Sequence, residues 1–320
     1  MSTQAENRKS ALLAEIEKLI AAKTSAAQLE QAKLFVAKYC NGVDAEDFVA
    51  RDAAEWAALS LSHLAFGSEF QRGAPKMRIF TPGAAENGWD AASTVIEFVN
   101  DDMPFLVDSI AAVIASHGLT VHRLLHPIVP ATRSATGSLD TIGKGSLESI
   151  IYLELDRADA RGRQELTAEV EAVLASVRAA VGDWPEMRER MRADAAALAS
   201  ADPENAALIE WLADNHFTLL GHAILDPKGQ PTEGFGILRD DPSSLWDKSF
   251  AKTAIAHLDG DDRRVLILKA DRISPVHRRV PLDVVIVRRD DGSLSLHAGL
   301  WTSAALRSPP MEIPVLRKHL

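Results

Sequence analysis

Thr94-Val95-Ile96-Glu97-Phe98-Val99, then Asn100-Asp101-Asp102-Met103-Pro104, then Phe105-Leu106 running on to Gly118-Leu119-Thr120-Val121, is the stretch that decides the fold. Its first six residues are β-branched or aromatic at alternate places and predict a strand. The acidic turn follows. Pro104 suits a first helical position, where a backbone N–H would have no partner. Phe105, Leu106, Ile110, Val113 and Ile114 then form one apolar helical face. Gly118 is placed to end that helix in a left-handed cap. A strand from Leu119 to Val129 closes the unit, with Val121, Arg123 and Leu125 on one side and His122, Leu124 and His126 on the other.

Working outward, Lys76 to Phe80 alternates polar and apolar residues and ends at Thr81-Pro82-Gly83, a short strand and turn. Residues 131 to 146 are rich in Ser, Thr and Gly and predict a loop. Leu147 to Asp156 reads as a strand, and Gln164 to Val181 as an amphipathic helix. Upstream, Ala5 to about Phe70 is helical in pattern, with Asn41-Gly42 as a stop and Asp44 as a cap. Downstream, Trp184 to Ala199 and Asp202 to Asn215 predict two helices, the second opened by Asp202-Pro203. Strands are expected at Phe217–Leu225, Gly234–Arg239, Val265–Ala270, Leu282–Arg289 and Leu294–Trp301, the last two joined by an Asp290-Asp291-Gly292 hairpin. The fold class is α+β: N-terminal helices over 1–72, an antiparallel-sheet sandwich with helices on one face over 73–182, a helical linker over 183–216, and a strand-rich module over 217–320.

The composition is that of an ordinary globular protein, 47% hydrophobic and 25% charged. A net charge of −10 argues against nucleic acid or an anionic membrane as partner. Cys40 is the single cysteine, which rules out an internal disulfide and a Cys-based zinc site within the chain. With no signal-peptide pattern and no apolar run of about 20 residues, the sequence reads as soluble and cytoplasmic.

Catalytic signatures are not found. Gly143-Lys144-Gly145 and Gly234-Phe235-Gly236 lack the third glycine of a dinucleotide fingerprint, and there is no phosphate loop, nucleophile elbow or paired-histidine metal motif. No catalytic, metal-ligating or cofactor-binding residue is therefore assigned. His122 and His126 would stand about 13 Å apart along a strand, too far to share a metal. The basic run Arg272, His277, Arg278, Arg279 is interleaved with apolar residues and reads as the solvated face of a strand. The acidic turn is the one candidate site. Backbone N–H groups at a helix start suit a carboxylate, and Asp101 or Asp102 suits an ammonium, so together they match the two ends of an amino acid. The reading preferred from the residues alone is that the two aspartates cap the helix and favour its positive end.

Val95 to Val129 resembles the opening of an ACT domain: strand, Asp-x-Pro-Gly-Leu, helix, Gly, strand. The corresponding residues are Asp102-Met103-Pro104-Phe105-Leu106 and Gly118-Leu119-Thr120-Val121, with Phe105 where the pattern has glycine. More specifically, Val99 to Ser109, Gly118 to His122, His126-Pro127, Asp183-Trp184-Pro185, Glu210 to Phe217, Phe235 to Arg239, Val276-His277-Arg278, Gly299 to Ala305 and Ile313 to Leu316 resemble the N-terminal region of the large bacterial NAD-specific glutamate dehydrogenases. The resemblance implies an ACT-like domain followed by a PAS-like or second ACT-like module. It implies a non-catalytic regulatory and assembly segment of a homo-oligomeric oxidoreductase of amino-acid metabolism. NAD and glutamate would then be bound by the remainder of the chain. An amino-acid effector would fall on Asp101, Asp102, Met103, Pro104, Phe105 and Leu106. A purely structural interaction module is the alternative. No strand follows the Gln164–Val181 helix to complete an ACT sheet, and Lys76–Phe80 is the expected occupant of the vacant edge.

Overall fold

A computed structural model describes residues 3–260 and 263–318. The chain divides into two compact units, Met1–Met103 with Val113–Glu171, and Pro104–Ala112 with Ala172–Leu320. The first opens with helices α1 (Thr3–Lys23), α2 (Leu29–Asn41), α3 (Ala45–Val49) and α4 (Ala53–Phe66). Then come β1 (Lys76–Phe80), the short α5 (Ala84–Asn87), β2 (Thr94–Asp101), α6 (Leu106–Ser116), β3 (Val121–Leu125), β4 (Ile128–Arg133), β5 (Leu139–Ile142) and β6 (Ser146–Leu155). Helix α7 (Ala160–Leu198) follows.

The first sheet has the order β1-β2-β6-β4-β5, with β3 also paired to β6. β2 and β3 are both antiparallel to β6 and lie on its two sides, so β2–α6–β3 is the split βαβ unit expected of an ACT-like domain. β1 takes the free edge of β2, in register from Lys76 opposite Val99 to Phe80 opposite Val95. A strand that precedes the unit in sequence thus occupies the edge left vacant after it. Gly118 ends α6 at φ 70° as expected, and Asp44 caps α3 through the N–H of Glu46 at 2.9 Å.

Three expectations are corrected. The strand from Leu119 to Val129 is broken at His126-Pro127, because Pro127 has no N–H to give to a ladder. β3 and β4 instead pair successively along β6, to Leu155–Tyr152 and to Ser149–Ser146. The Ser/Thr/Gly-rich segment is not a plain loop but contains the end of β4 and its hairpin partner β5, tied by Thr132 and Thr141 hydroxyls 2.6 Å apart. The helices read at 164–181 and 184–199 are one 39-residue helix, α7, with Pro185 inside it. Val177, Ala180, Met187 and Met191 on both sides of Pro185 are buried, so packing offsets the backbone bond that the proline forfeits.

α1–α4 bury Ile16, Phe35, Tyr39, Trp56 and Leu59 in one cluster with Val95 and Val99 of β2, Ile150 and Tyr152 of β6 and Val129 of β4. The N-terminal helices therefore cover one face of the first sheet. The other face is closed as well, since Ile96, Phe98, Ile151 and Leu153 are all at most 2% exposed. His63 of α4 is fully buried between the Tyr39 hydroxyl and the Phe98 carbonyl, each 3.0 Å from a ring nitrogen. Glu97 on the same side is held by Arg78, and Glu154 by Arg51 and by the Tyr152 hydroxyl at 2.6 Å.

In the second unit α8 (Pro203–Trp211) begins at the Asp202 cap, whose carboxylate takes the Asn205 N–H at 3.2 Å. A π-turn, Leu212–His216, leads into β7 (Phe217–Leu225), β8 (Pro231–Gly236), α9 (Lys248–Gly260), β9 (Val265–Ile273), β10 (Pro281–Arg288) and β11 (Leu294–Trp301), with α10 (Ser303–Arg307) after it. The sheet runs β8-β7-β11-β10-β9, antiparallel throughout. The Asp290-Asp291-Gly292 hairpin forms where expected, with Gly292 at φ 81°. Among the described residues no helix is long and apolar enough to cross a membrane.

Burial lowers the His63 pKa from 6.5 to about 3, helped by the Arg78 charge and opposed by its bond to Phe98. The unfolded imidazole charges near 6.5 while the folded one stays neutral, so its contribution is whole above that pH and shrinks as pH falls towards 3. Glu97, pushed up to about 7 by burial, works in the opposite sense. Replacing His63 by Gln, which can bond to the same two oxygens, should flatten the fall of stability between those limits by about 1.4 kcal/mol per pH unit. Urea denaturation of both chains at a series of pH values measures it.

Candidate functional site

The acidic turn begins at the end of β2. Asp101 accepts the Gly73 N–H at 2.9 Å and faces Arg72 at 3.5 Å. Arg72 continues to Glu148 at 3.0 Å, and Glu148 is clasped by Arg133 at 2.7 and 2.8 Å. Arg133 also donates to the carbonyls of Gly67 and Gly137, both at 2.9 Å. With Glu148 1% and Arg133 4% exposed, the inner pair of this network is buried, while Arg72 and Asp101 reach solvent; each carboxylate has a guanidinium. Asp102 accepts the Ser149 hydroxyl at 2.8 Å, and Ser149 meets a ring nitrogen of His126 at 2.9 Å. Both aspartates thus have partners within the first unit.

Pro104 and Phe105 form a turn before α6 rather than its first residues. Phe105 has φ 71°, the left-handed conformation that glycine adopts freely and a bulky side chain pays for. Phe105 stands where the ACT pattern has glycine, and its backbone lies in the region that glycine adopts most freely. The Phe105 ring meets that of His277 at a centroid distance of 5.2 Å. His277 is itself left-handed at φ 66°. Its N–H goes to the Ser109 hydroxyl at 2.9 Å and its Nδ1 lies 3.0 Å from the Asp108 carboxylate. A cavity of about 200 Å³ lies beside Phe105, bounded by Pro104, Val181, Trp184 and Leu219. Leu106 is buried.

The basic run is not one strand face. Arg272 stands on β9 and reaches the Ser244 hydroxyl; His277, Arg278 and Arg279 lie in the turn before β10, and Arg278 donates to the Trp301 carbonyl at 2.8 Å. His122 pairs with Asp156 at 2.7 Å in an exposed position.

Four described non-glycine residues have positive φ: Phe105, Asn215, His277 and Val315. Each falls within a motif quoted above, and neighbouring groups hold each motif in place. Thr302 donates its hydroxyl to the Asn215 carbonyl at 3.0 Å, and Glu204 accepts the Val315 N–H at 3.0 Å. His216 stacks on Trp211 at 4.0 Å. Asp183 takes the Gly236 N–H at 2.7 Å and pairs with Arg239. The motifs are joints of the fold, where strain is stored and over-determined.

One cluster of ionisable groups escapes sequence reasoning. Asp194 of α7 accepts His297 Nε2 at 2.9 Å and is paired with Arg289 at 2.9 Å. His297 Nδ1 lies 3.2 Å from Nδ1 of His222, its cross-strand partner in the β7–β11 register. Burial would raise the Asp194 carboxyl, but the His297 bond and the Arg289 charge hold it down at about 2. Burial first, then His297, keeps His222 far below the usual imidazole range. Ser295 stands 3.3 Å from the same Nε2 that Asp194 uses. A nucleophile relay needs the acid and the hydroxyl on opposite ring nitrogens, so this grouping is not a triad. Among the described residues none groups three His, Cys, Asp or Glu in a way that could hold a metal.

The strain at Phe105 is testable. Phe105→Gly and Phe105→Ala both lose the ring contact with His277, but only glycine escapes the left-handed penalty. The glycine variant should be the more stable of the two by about 1 kcal/mol, measured as a difference in denaturation midpoints.

Residues 35–170 match the family described as glutamate dehydrogenase, ACT1 domain. The chain is 28% identical over 325 residues to the NAD-specific glutamate dehydrogenase of Pseudomonas aeruginosa, covering 90% of this chain and 20% of that protein. It is 25% identical over 342 residues to the NAD-specific glutamate dehydrogenase of Halomonas elongata, covering 97% of this chain and 21% of that protein. The chain spans about a fifth of the length of these curated relatives.

Proposed function

We propose that this chain, which carries a match to the glutamate dehydrogenase ACT1 domain at residues 35–170 and is similar to NAD-specific glutamate dehydrogenases over most of its length, is an N-terminal regulatory and assembly segment of such an enzyme and does no chemistry itself. The parent reaction is the oxidative deamination of glutamate to 2-oxoglutarate with hydride transfer to NAD, carried by parts of the enzyme beyond this chain. The observation that carries the proposal is the split βαβ unit at residues 94–125 inside the family match. ACT-type sheets position loops for small effectors and for neighbouring subunits, while the chemistry needs a dinucleotide fold that this segment does not resemble.

We assign a helical region to residues 1–72, the ACT-like module to 73–182, a helical linker to 183–216 and the second module to 217–320. A PAS-like second module is favoured over another ACT-like one. An ACT unit needs a helix whose two flanking strands lie on either side of a third, whereas β8 and β9, which flank α9, are the two edges of their sheet. A cytoplasmic, oligomeric enzyme with the remainder of the chain as principal partner completes the proposal.

An amino-acid effector is assigned to the turn Asp101, Asp102, Met103, Pro104, Phe105 and Leu106. The rival, an assembly module without effector, draws support from the partners that Asp101 and Asp102 already have and from the ring that fills the glycine position. Titration calorimetry with the common amino acids separates the two. The effector proposal expects saturable heat that Asp102→Asn weakens by roughly tenfold. Flat traces at millimolar ligand, or heat unchanged in Asp102→Asn, leave assembly alone.

A further inference from the structure

A second candidate site lies in the second unit, lined by none of the residues of the acidic turn. A cavity of about 480 Å³ opens between the end of α7 and the β10–β11 hairpin. Its floor is apolar, from Leu198 and Val287, both 2% exposed. Ala197 on the helix side is small enough to leave the cavity open. Its rim carries both signs of charge. Arg264 is paired with Asp290 in a solvent-exposed bridge, with side chains 38% and 78% exposed. Arg289 is different, because its guanidinium is fixed from below by Asp194, which is 3% exposed and itself locked by His297.

These features select a ligand. A simple anion would meet Asp290, and a simple cation would meet Arg264 and Arg289. An apolar molecule would leave the charged rim unused. A zwitterion with an apolar body satisfies all three surfaces. An exposed ion pair such as Arg264–Asp290 is weak and opens readily to admit the opposite charges of a ligand. A guanidinium already held in place loses little freedom on binding a carboxylate. The volume and the apolar floor with a few polar groups are those of a small-molecule pocket. We propose that this cleft binds a free amino acid with a large apolar side chain, its carboxylate on Arg289 and Arg264, its ammonium on Asp290, and its side chain on Leu198, Val287 and Ala197. The proposal is independent of the acidic-turn effector and names a different place for a ligand of related chemistry.

The test is titration calorimetry of the full chain with L-phenylalanine, L-leucine and L-methionine, alongside 3-phenylpropionate and phenethylamine, which each lack one charge. At least one of the amino acids should bind, and the two analogues should bind at least about tenfold more weakly than L-phenylalanine if it is the ligand. Ala197→Trp fills the cleft from an exposed helix position and should abolish binding while the far-ultraviolet circular dichroism is unchanged. Asp290→Asn, at an exposed side chain, should weaken the amino acid and strengthen 3-phenylpropionate, which then no longer meets a like charge. Absence of binding by all three amino acids overturns the inference. So does binding that survives Ala197→Trp, and binding that Asp102→Asn abolishes while Ala197→Trp spares it places the ligand at the acidic turn instead.

Discussion

β2 is buried on both faces over seven of its eight residues, and the first unit is organised by that constraint. A strand without a wet face needs cover on two sides, because each exposed apolar side chain forgoes about 25 cal/mol per Å² of burial. α1–α4 supply one cover. They are therefore part of the same core as the sheet and not an appendage to it. The constraint also explains the charges. Glu97 lies on the helix-covered side of β2 and Glu154 in the same layer of β6, where an ordinary antiparallel sheet would show them to water. Once covered, each needs a guanidinium, and Arg78 and Arg51 provide it. Removing one partner of such a pair would strand a charge in the core, which makes the helical cover and the sheet interdependent.

The turn after β2 shows how a pattern survives the loss of its key residue. A glycine after Pro104 would adopt the left-handed conformation freely. Here the chain keeps that conformation with Phe105, and the aromatic ring gains a contact with His277, which is strained in the same way. Two unfavourable backbones are held by one ring contact and the hydrogen bonds of His277 to Ser109 and Asp108. The recurrence of positive φ at Asn215 and Val315, within other family motifs, suggests that what these motifs encode is backbone geometry.

Much of the fold was legible because it rests on local rules. The periodicity of Thr94–Val99 and Leu106–Ile114, the Asp44 and Asp202 caps, the Gly118 stop and the Asp290-Asp291-Gly292 hairpin each involve a few adjacent residues, and each is found where expected. β7 and β11 have the predicted limits. The failures share a cause. His126-Pro127 breaks a strand that looks continuous in alternation alone, since a missing N–H matters only where the ladder needs it. The break expected between Val181 and Trp184 is absent, because the buried residues on both sides of Pro185 carry the helix through it. The β4–β5 hairpin was hidden in polar residues whose strand character comes from pairing.

The sequence by itself determined the class of the fold, the ACT-like opening and the absence of familiar catalytic signatures, because these are written in spacing and residue type over short ranges. Only the tertiary structure decided which groups meet. Asp194, His222, Arg289 and His297 are separated by up to 103 residues along the chain, and nothing local marks any of them. They come together because the β7–β11 register sets the two histidines opposite each other and α7 brings a carboxylate over them. The same holds for the partners of Asp101 and Asp102: a carboxylate in a turn reads as available until packing shows that a backbone amide, an arginine or a serine hydroxyl has reached it. Register and packing are cooperative properties of the whole chain, and so the cleft above Asp194 could be seen only once the chain was folded.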